Sequence, residues 1–310
     1  MKRYITVDGG TTNTRVRLVC DRKIITSKQI PIGATKNIDG NGELKRALKV
    51  AIFEILTEYS LNEADIIRVL ASGMITSEFG LIELPHVKAP AGVSELHASM
   101  AEVSFPEITS IPFVFTRGIR VESDNLENVD IMRGEETEIV GIMSDHNCIY
   151  VLPGSHSKII KVDENGRICA FSTMLTGEMI TSLSRNTILK DAVDLSIDHF
   201  DEDMLLFGYN YAKCNGLNNS LFKVRVLKNI LKYSLEQVYS FFIGAVLSDE
   251  IGYILSLASD KIVIGGRKQI REATATILKA NCEHTVISLD DETVESSTSL
   301  GMIKIFEYEN

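Results

Sequence analysis

The common signatures of nucleotide and acyl chemistry are missing from this sequence. It has no GxxxxGK[ST] loop, no GxGxxG after an apolar run, no HRD or DFG set and no GxSxG elbow. Ordinary P-loop NTPases, dinucleotide-binding Rossmann domains, protein kinases and α/β-hydrolases are thereby excluded. Tryptophan is absent altogether. Positive charge is scarce: 32 Lys and Arg stand against 42 Asp and Glu, a formal charge of −10. That argues against nucleic-acid binding through a broad basic face, but not against ATP or an acidic metabolite held by a few local cations. The five cysteines (Cys20, Cys148, Cys169, Cys214, Cys282) are widely spaced and contain no CxxC pair. Packed, reduced thiols are expected rather than a disulfide framework or a structural zinc site. His146 and Cys148 beside Asp145 lack a second cluster at a suitable spacing, so zinc is not expected there either. No signal-peptide apolar region separates Met1-Lys2-Arg3 from the first strand. The longest strongly apolar patch, 241–247, lies between Glu236 and Asp249, too short to span a bilayer. A cytoplasmic chain without a membrane partner is expected.

What is present has the balance of a globular protein, 45% hydrophobic and 24% charged over 310 residues, enough for about two domains with a core in each. The chain is organised around one hairpin near its start. An apolar strand runs into Asp8, turns through Gly9, Gly10, Thr11, Thr12 and Asn13, and leaves as a second strand over 15–20. Adjacent glycines let backbone N–H groups point outward into a concavity, and the Thr and Asn side chains add donors. A carboxylate at the strand end, Asp8, can hold a hydrated Mg²⁺ beside the phosphates such a turn gathers. The plainer reading is a hairpin whose Gly-Gly only makes the turn.

Further along, a strand over 23–31 leads to a loop at 33–40, and spacing predicts a helix over 43–59. Strands follow at 66–71 and 112–115, with a surface loop at 80–92. This alternation indicates an α/β layered domain. The second half repeats the theme. Residues 148–162 read strand, Gly/Ser turn, strand, and Gly154 lies roughly half a chain after Gly10. A further strand is expected at 168–172, helices over 177–190 and 227–257, then an apolar strand ending in Gly265 and Gly266. Glycines at the carboxyl end of a buried strand, opening onto a helix at 269–280, suit a nucleotide lying against backbone. A short strand at 285–289 and a helix over 294–306 close the chain. Two similar domains are expected, 1–140 and 141–310, each offering a phosphate turn to a shared cleft.

Phosphoryl transfer to a hydroxyl needs a base near the acceptor and positive charge near the moving group. In Arg133-Gly-Glu-Glu-Thr137 a glutamate can serve as base, and Arg133 can anchor an anionic substrate through a bidentate fork. The plainer reading makes Glu135 and Glu136 the first turn of a helix, favoured by its dipole. His156 and Lys158 flank the second turn and can meet substrate oxygens, or simply face solvent. Lys223, Arg225, Lys228 and Lys232 read as a solvated basic helix face.

Taken together, Asp8-Gly-Gly-Thr-Thr-Asn13, Met132-Arg-Gly-Glu-Glu-Thr137, Leu152-Pro-Gly-Ser-His-Ser-Lys158 and Met174-Leu-Thr-Gly-Glu178 resemble the 2-keto-3-deoxy-galactonokinase family. That family belongs to the actin, hexokinase and Hsp70 superfamily of two-domain ATPases. The resemblance implies two ribonuclease-H-like domains, mixed sheets flanked by helices around a central cleft. It also implies ATP- and Mg²⁺-dependent phosphorylation of the terminal hydroxyl of a 2-keto-3-deoxy sugar acid on the route that degrades galactonate. The partners would then be two small molecules, with self-association left open. On this reading Asp8 is the metal-binding acid, Gly9, Gly10, Thr11, Thr12 and Asn13 form the first phosphate motif, and Gly154, Ser155 and Ser157 the second. Gly265 and Gly266 sit at the adenosine motif, while Glu135, with Glu136 as its understudy, is the base. Arg133, His156 and Lys158 face the substrate. The sequence departs from the family at Gly9, where tryptophan is usual, at Ser155 for threonine, and at Ser157 and Ile159 for cysteine and tryptophan. Gly265-Gly-Arg-Lys268 replaces a usual Gly-Thr-Ser. The rival readings are an actin- or Hsp70-like ATPase and an exopolyphosphatase-like hydrolase without a sugar acceptor.

Overall fold

The computed structural model describes residues 1–34, 41–257 and 259–309. The chain divides into two compact units. One comprises Met1–His146, Val162–Phe171 and Glu292–Asn310, the other Asn147–Lys161 and Ser172–Asp291.

In the first unit β1 (Arg3–Gly9) and β2 (Thr14–Cys20) form an antiparallel hairpin that sets Asp8 opposite Arg15 and Gly9 opposite Thr14. β3 (Lys23–Ile30), α1 (Gly42–Glu58) and β4 (Val69–Gly73) follow. After them come β5 (Val87–Lys88), α2 (Val93–Ala98), β6 (Ala101–Val103) and β7 (Phe113–Phe115). The main sheet runs β3-β2-β1-β4-β7-β6, with β1, β4 and β7 mutually parallel. Strand alternation sends Ile5 and Val7 to one face, where α1 buries Leu44, Leu48, Ile52 and Ile55 at helical spacing. Tyr4 and Thr6 point to the other face. There Tyr4, Val19, Leu70 and Val114 pack on Met302 and Ile303 of the C-terminal helix, Asp291–Phe306. Each fully buried aliphatic chain contributes about 1.5–3 kcal/mol relative to exposure. A small second sheet joins β5 to β8 (Ile119–Val121) and β9 (Asp130–Met132), and β9 feeds α3 (Glu135–Ile142).

The second unit opens with β10 (Cys148–Leu152) and β11 (Ser157–Val162), and takes up the end of β12 (Ile168–Met174) from Ser172 on. Four helices come next: α4 (Thr176–Asn186), α5 (Glu202–Asn215), α6 (Leu217–Asn229) and α7 (Leu235–Ser256). β13 (Lys261–Ile264), α8 (Lys268–Asn281) and β14 (Thr285–Ser288) finish it, and the C-terminal helix is α9. Its sheet runs β12-β11-β10-β13-β14, with β10, β13 and β14 parallel. This is the order of the first five strands of the other sheet. A hairpin and third strand lie on one side, parallel fourth and fifth strands on the other.

Several expectations change. The helix expected over 227–257 is two helices, separated at 230–234. Ser234 starts α7 with a capping box, its hydroxyl accepting from Gln237 N–H at 3.2 Å while Gln237 Oε1 accepts from Ser234 N–H at 3.2 Å. The helix expected over 177–190 ends at Asn186, where Thr187 turns extended. Helix α5, capped by Asp201, was not anticipated. Residues 35–40 of the expected 33–40 loop lie outside the described residues. Two members of the expected basic face are tied down: Arg225 donates to Ile188 O at 2.6 Å and Lys228 to Asp191 O. At 22 residues α7 is long and apolar enough to cross a membrane by composition, yet 78% of its most apolar window is buried inside the protein. It is apolar all round because α5, α6 and α8 pack about it.

Candidate active site

In the first unit the hairpin tip, the end of β4 and the start of α3 converge on three glycine backbones. Parallel pairing of β1 with β4 sets Asp8 beside Ser72 and Gly9 beside Gly73. Gly73 has φ +84°, and a Cβ there would stand 2.4 Å from Gly9 O. Gly134, at φ +114°, would place a Cβ 3.1 Å from Gly73 Cα. Only glycine fits such contacts. They bring the Asp8–Asn13 turn and the Arg133–Thr137 segment, 120 residues apart in sequence, to one place. Beneath them Ser72 Oγ and Thr137 Oγ1 share a buried hydrogen bond of 3.2 Å, and Thr137 Oγ1 donates to Gly134 O at 2.6 Å.

The tip itself is open. Gly10 N–H closes the turn on Asn13 O at 2.8 Å, while Thr11 and Thr12 are exposed. Asp8 lies just below. Burial pushes its pKa up and the Arg17 and Arg15 guanidinium groups only partly offset this. No hydrogen bond or ion pair reaches its carboxylate among the described residues. A half-buried acid of this kind is poised for a cation.

Glu135 and Glu136 do open a helix, so the plainer sequence reading and the functional one coincide. Glu135 is partly exposed and its Oε2 accepts from Arg133 N–H at 3.0 Å. Glu136 is fully buried; Oε2 accepts from Gly134 N–H at 2.8 Å and Oε1 has no partner among the described residues. Burial, reinforced by the negative charge of Glu135, pushes the Glu136 pKa up to about 8. Adjacent carboxyls thus differ in setting, Glu136 buried and favoured in its neutral form, Glu135 accessible.

A test follows from this asymmetry. Between about pH 4.5 and 8 the folded chain holds a Glu136 proton that the unfolded chain has lost, so stability falls as pH rises through that window. Glu136→Gln should therefore raise the urea midpoint over wild type at pH 8 and change it little at pH 5. An equal difference at both values would show that Glu136 does not titrate as described.

Arg133 is committed locally. Nη1 donates to Thr76 O at 2.6 Å and Thr76 Oγ1 at 2.7 Å, and Nη2 to Leu84 O at 3.2 Å. His86, kept neutral by burial with a pKa of about 4, accepts at 3.5 Å. Thr76 passes the tie to Gly73 O at 3.0 Å. A bidentate fork from Arg133 to a substrate carboxylate would have to replace these bonds.

In the second unit the Gly154–Ser157 turn is framed by two further glycines. A Cβ at Gly177 would stand 2.2 Å from Gly154 O, and one at Gly266 (φ +68°) 2.4 Å from Pro153 O. Arg267 N–H donates to Pro153 O at 2.7 Å and Glu178 N–H to Ser155 O at 3.1 Å. Buried Arg271 fixes the second glycine pair by donating to Gly266 O at 2.9 Å and to Asp291. The structure therefore brings Gly154, Ser155 and Ser157 together with Gly265 and Gly266. His156 pairs with Glu178 at 2.9 Å on the surface. Lys158 does not face solvent: it is 5% exposed and donates to Thr173 Oγ1 at 2.6 Å. It lies in the buried run 157–160 of β11.

Sequence reasoning passed over Gly73, Gly177, Arg271 and Glu250. Gly73 and Gly177 lie in stretches already singled out as a strand end and a motif. The mark of Glu250 is an acid set directly in the apolar run of α7, next to Asp249.

The family model for 2-keto-3-deoxy-galactonokinase matches residues 8–302. The chain is 28% identical over 255 residues to the 2-dehydro-3-deoxygalactonokinase of Escherichia coli (strain K12), covering 80% of this chain and 79% of that protein. A solved protein from Sinorhizobium meliloti, provisionally named a 2-dehydro-3-deoxygalactonokinase, shares the fold with a TM-score of 0.78 at 22% identity, over 98% of this chain and 100% of that one. So does the activator of 2-hydroxyisocaproyl-CoA dehydratase from Clostridium difficile, solved with bound ADPNP, with a TM-score of 0.51 at 12% identity, over 98% of this chain and 95% of that one. The matched span begins at Asp8 and includes both glycine turns, the α3 acids and the Gly265-Gly266 pair. This chain belongs to the 2-keto-3-deoxy-galactonokinase family.

Proposed function

We propose that this ATP-dependent kinase phosphorylates the terminal 6-hydroxyl of 2-dehydro-3-deoxy-D-galactonate, or of a close 2-keto-3-deoxy sugar acid. The observation that carries the assignment of roles is the packing of Gly9 and Gly134, the chain neighbours of Asp8 and Glu135, on Gly73 in the first unit. A half-buried acid at the strand end suited to a cation and a carboxylate at the helix start suited to a hydroxyl proton are the two acids phosphoryl transfer requires.

Glu135 is the proposed base: it takes the proton of the 6-hydroxyl as that oxygen attacks the γ-phosphorus, and ADP departs. Glu136, buried and protonated behind it, leaves the charge on Glu135. Asp8 is the proposed ligand of Mg²⁺, which when bound would neutralise phosphate charge. No three His, Cys, Asp or Glu gather among the described residues. That suits Mg²⁺ in kinases, where one or two carboxylates, waters and substrate phosphates complete the shell. Gly9, Gly10, Thr11, Thr12 and Asn13 are the proposed first phosphate motif, Gly154, Ser155 and Ser157 the second, and Gly265 and Gly266 the adenosine motif. The first unit would also supply part of the sugar-acid site. Arg133, His156 and Lys158 are the proposed substrate side chains, with Arg133 also holding the 76–86 segment in place. We take the cytoplasm, where ATP and sugar acids are available, as its place of action.

The experiment is a coupled ADP-release assay across 2-keto-3-deoxy hexonates and pentonates. Acceptor-dependent release strongest with the galacto-configured six-carbon acid is expected. Equal release with every acid and with none would refute the assignment.

A further inference from the structure

Glu250 takes no part in the roles assigned above, yet α7 buries it completely. Its neighbour Asp249 faces solvent, whereas Glu250 is 1% exposed among Val246, Leu247 and Ile251. A carboxyl in such surroundings is costly unless polar groups meet it. Thr176 Oγ1 donates to Oε2. Ser157 Oγ stands beside the carboxyl without closing a hydrogen bond, and Oε1 has no partner among the described residues.

Those two hydroxyls sit at two ends of the same loop. Ser157 is the first residue of β11 and closes the turn that begins at Gly154. Thr176 is the first residue of α4; Gly177, next in the chain, packs its Cα on Gly154 O, and Glu178 N–H holds Ser155 O at 3.1 Å. An aliphatic side chain would fill the core of α7 at lower cost. A carboxyl there bonds the helix core to Thr176, one support of the turn, and stands beside Ser157, the other.

We propose that Glu250 is a positioning residue for ATP, acting through Thr176 and Ser157 to hold the Gly154–Ser157 turn in its phosphate-receiving form. This rests on the reading of that turn as the second phosphate motif. The carboxyl accepts from Thr176, and a glutamine amide of the same size keeps an accepting oxygen there. Loss of the tie should loosen nucleotide binding most; the sugar acid, which His156 on this turn and Lys158 beside it meet together with Arg133 of the first unit, should be affected less.

The test compares Glu250→Gln, Glu250→Leu and Thr176→Val in the full chain, reading KM for ATP, KM for the sugar acid, kcat, and the Kd of Mg-ADP by calorimetry. Glu250→Leu and Thr176→Val should raise KM for ATP and the Kd of Mg-ADP about tenfold, with KM for the sugar acid within about twofold. Glu250→Gln should stay within about threefold of wild type on every constant. Thr176→Val removes a hydroxyl without touching α7, so it decides the matter even where Glu250→Leu fails to fold. Wild-type nucleotide affinity in Thr176→Val, an equal rise in both KM values, or a Glu250→Gln as impaired as Glu250→Leu would overturn the proposal. Should the wild type show no acid-dependent turnover, the kinase assignment fails, while the Mg-ADP titration still judges Glu250.

Discussion

Asp8→Asn is expected to lower turnover by about 10²–10³-fold and to leave the fold as stable as wild type or more so. The two effects share one cause. Asp8 closes β1 below the open tip, and burial raises its pKa more than Arg17 and Arg15 lower it. In the folded protein the charge is therefore carried at a cost, which a neutral amide of the same size removes. What asparagine cannot supply is the negative charge that would hold a divalent cation against the triphosphate. Activity should fall and respond weakly to added Mg²⁺, while the thermal midpoint holds or rises. Turnover like wild type throughout a Mg²⁺ titration would remove Asp8 from the metal site. A drop in midpoint matching the drop in activity would make its role one of folding.

Glu135→Gln is expected to lower kcat by about 10²–10⁴-fold with KM for ATP within a few-fold of wild type. The substitution keeps the side-chain oxygen that accepts from Arg133 N–H at 3.0 Å, so α3 should start as before. It deletes the one property a base needs. Glu136 cannot take over readily: it is fully buried, with a pKa near 8, and its accepting oxygen is engaged with Gly134 N–H at 2.8 Å. Steady-state constants together with the pH profile of kcat/KM check this. A kcat near wild type would move the role to another group. A rise in KM for ATP as large as the fall in kcat would point to a damaged phosphate turn.

Much of the fold could be read from local pattern. Gly9-Gly10 and Pro153-Gly154 punctuate short apolar strands that are buried nearly throughout, and α1 and α8 carry the helical period on one face. Where period vanishes, the reading fails. α7 is apolar on every side and offers no face to count, so its start was invisible except through Ser234 and Gln237. β5, β8 and β9 are two or three residues long and exist only because tertiary pairing supports them. The site divides the same way. Its glycines and acids are adjacent in sequence and legible, but the partners that decide their chemistry are distant. Thr76 and Leu84 take up Arg133 from 57 and 49 residues away. Thr176 meets Glu250 across 74.

The most direct measurement is ADP release by the wild-type protein with ATP and Mg²⁺, in the presence and absence of 2-dehydro-3-deoxy-D-galactonate, with the product's phosphorylated position read by phosphorus NMR. A sugar-acid kinase should release ADP only with the acid and yield its 6-phosphate in equal amount. ADP released at the same rate without the acid, as inorganic phosphate accumulates, would contradict the account.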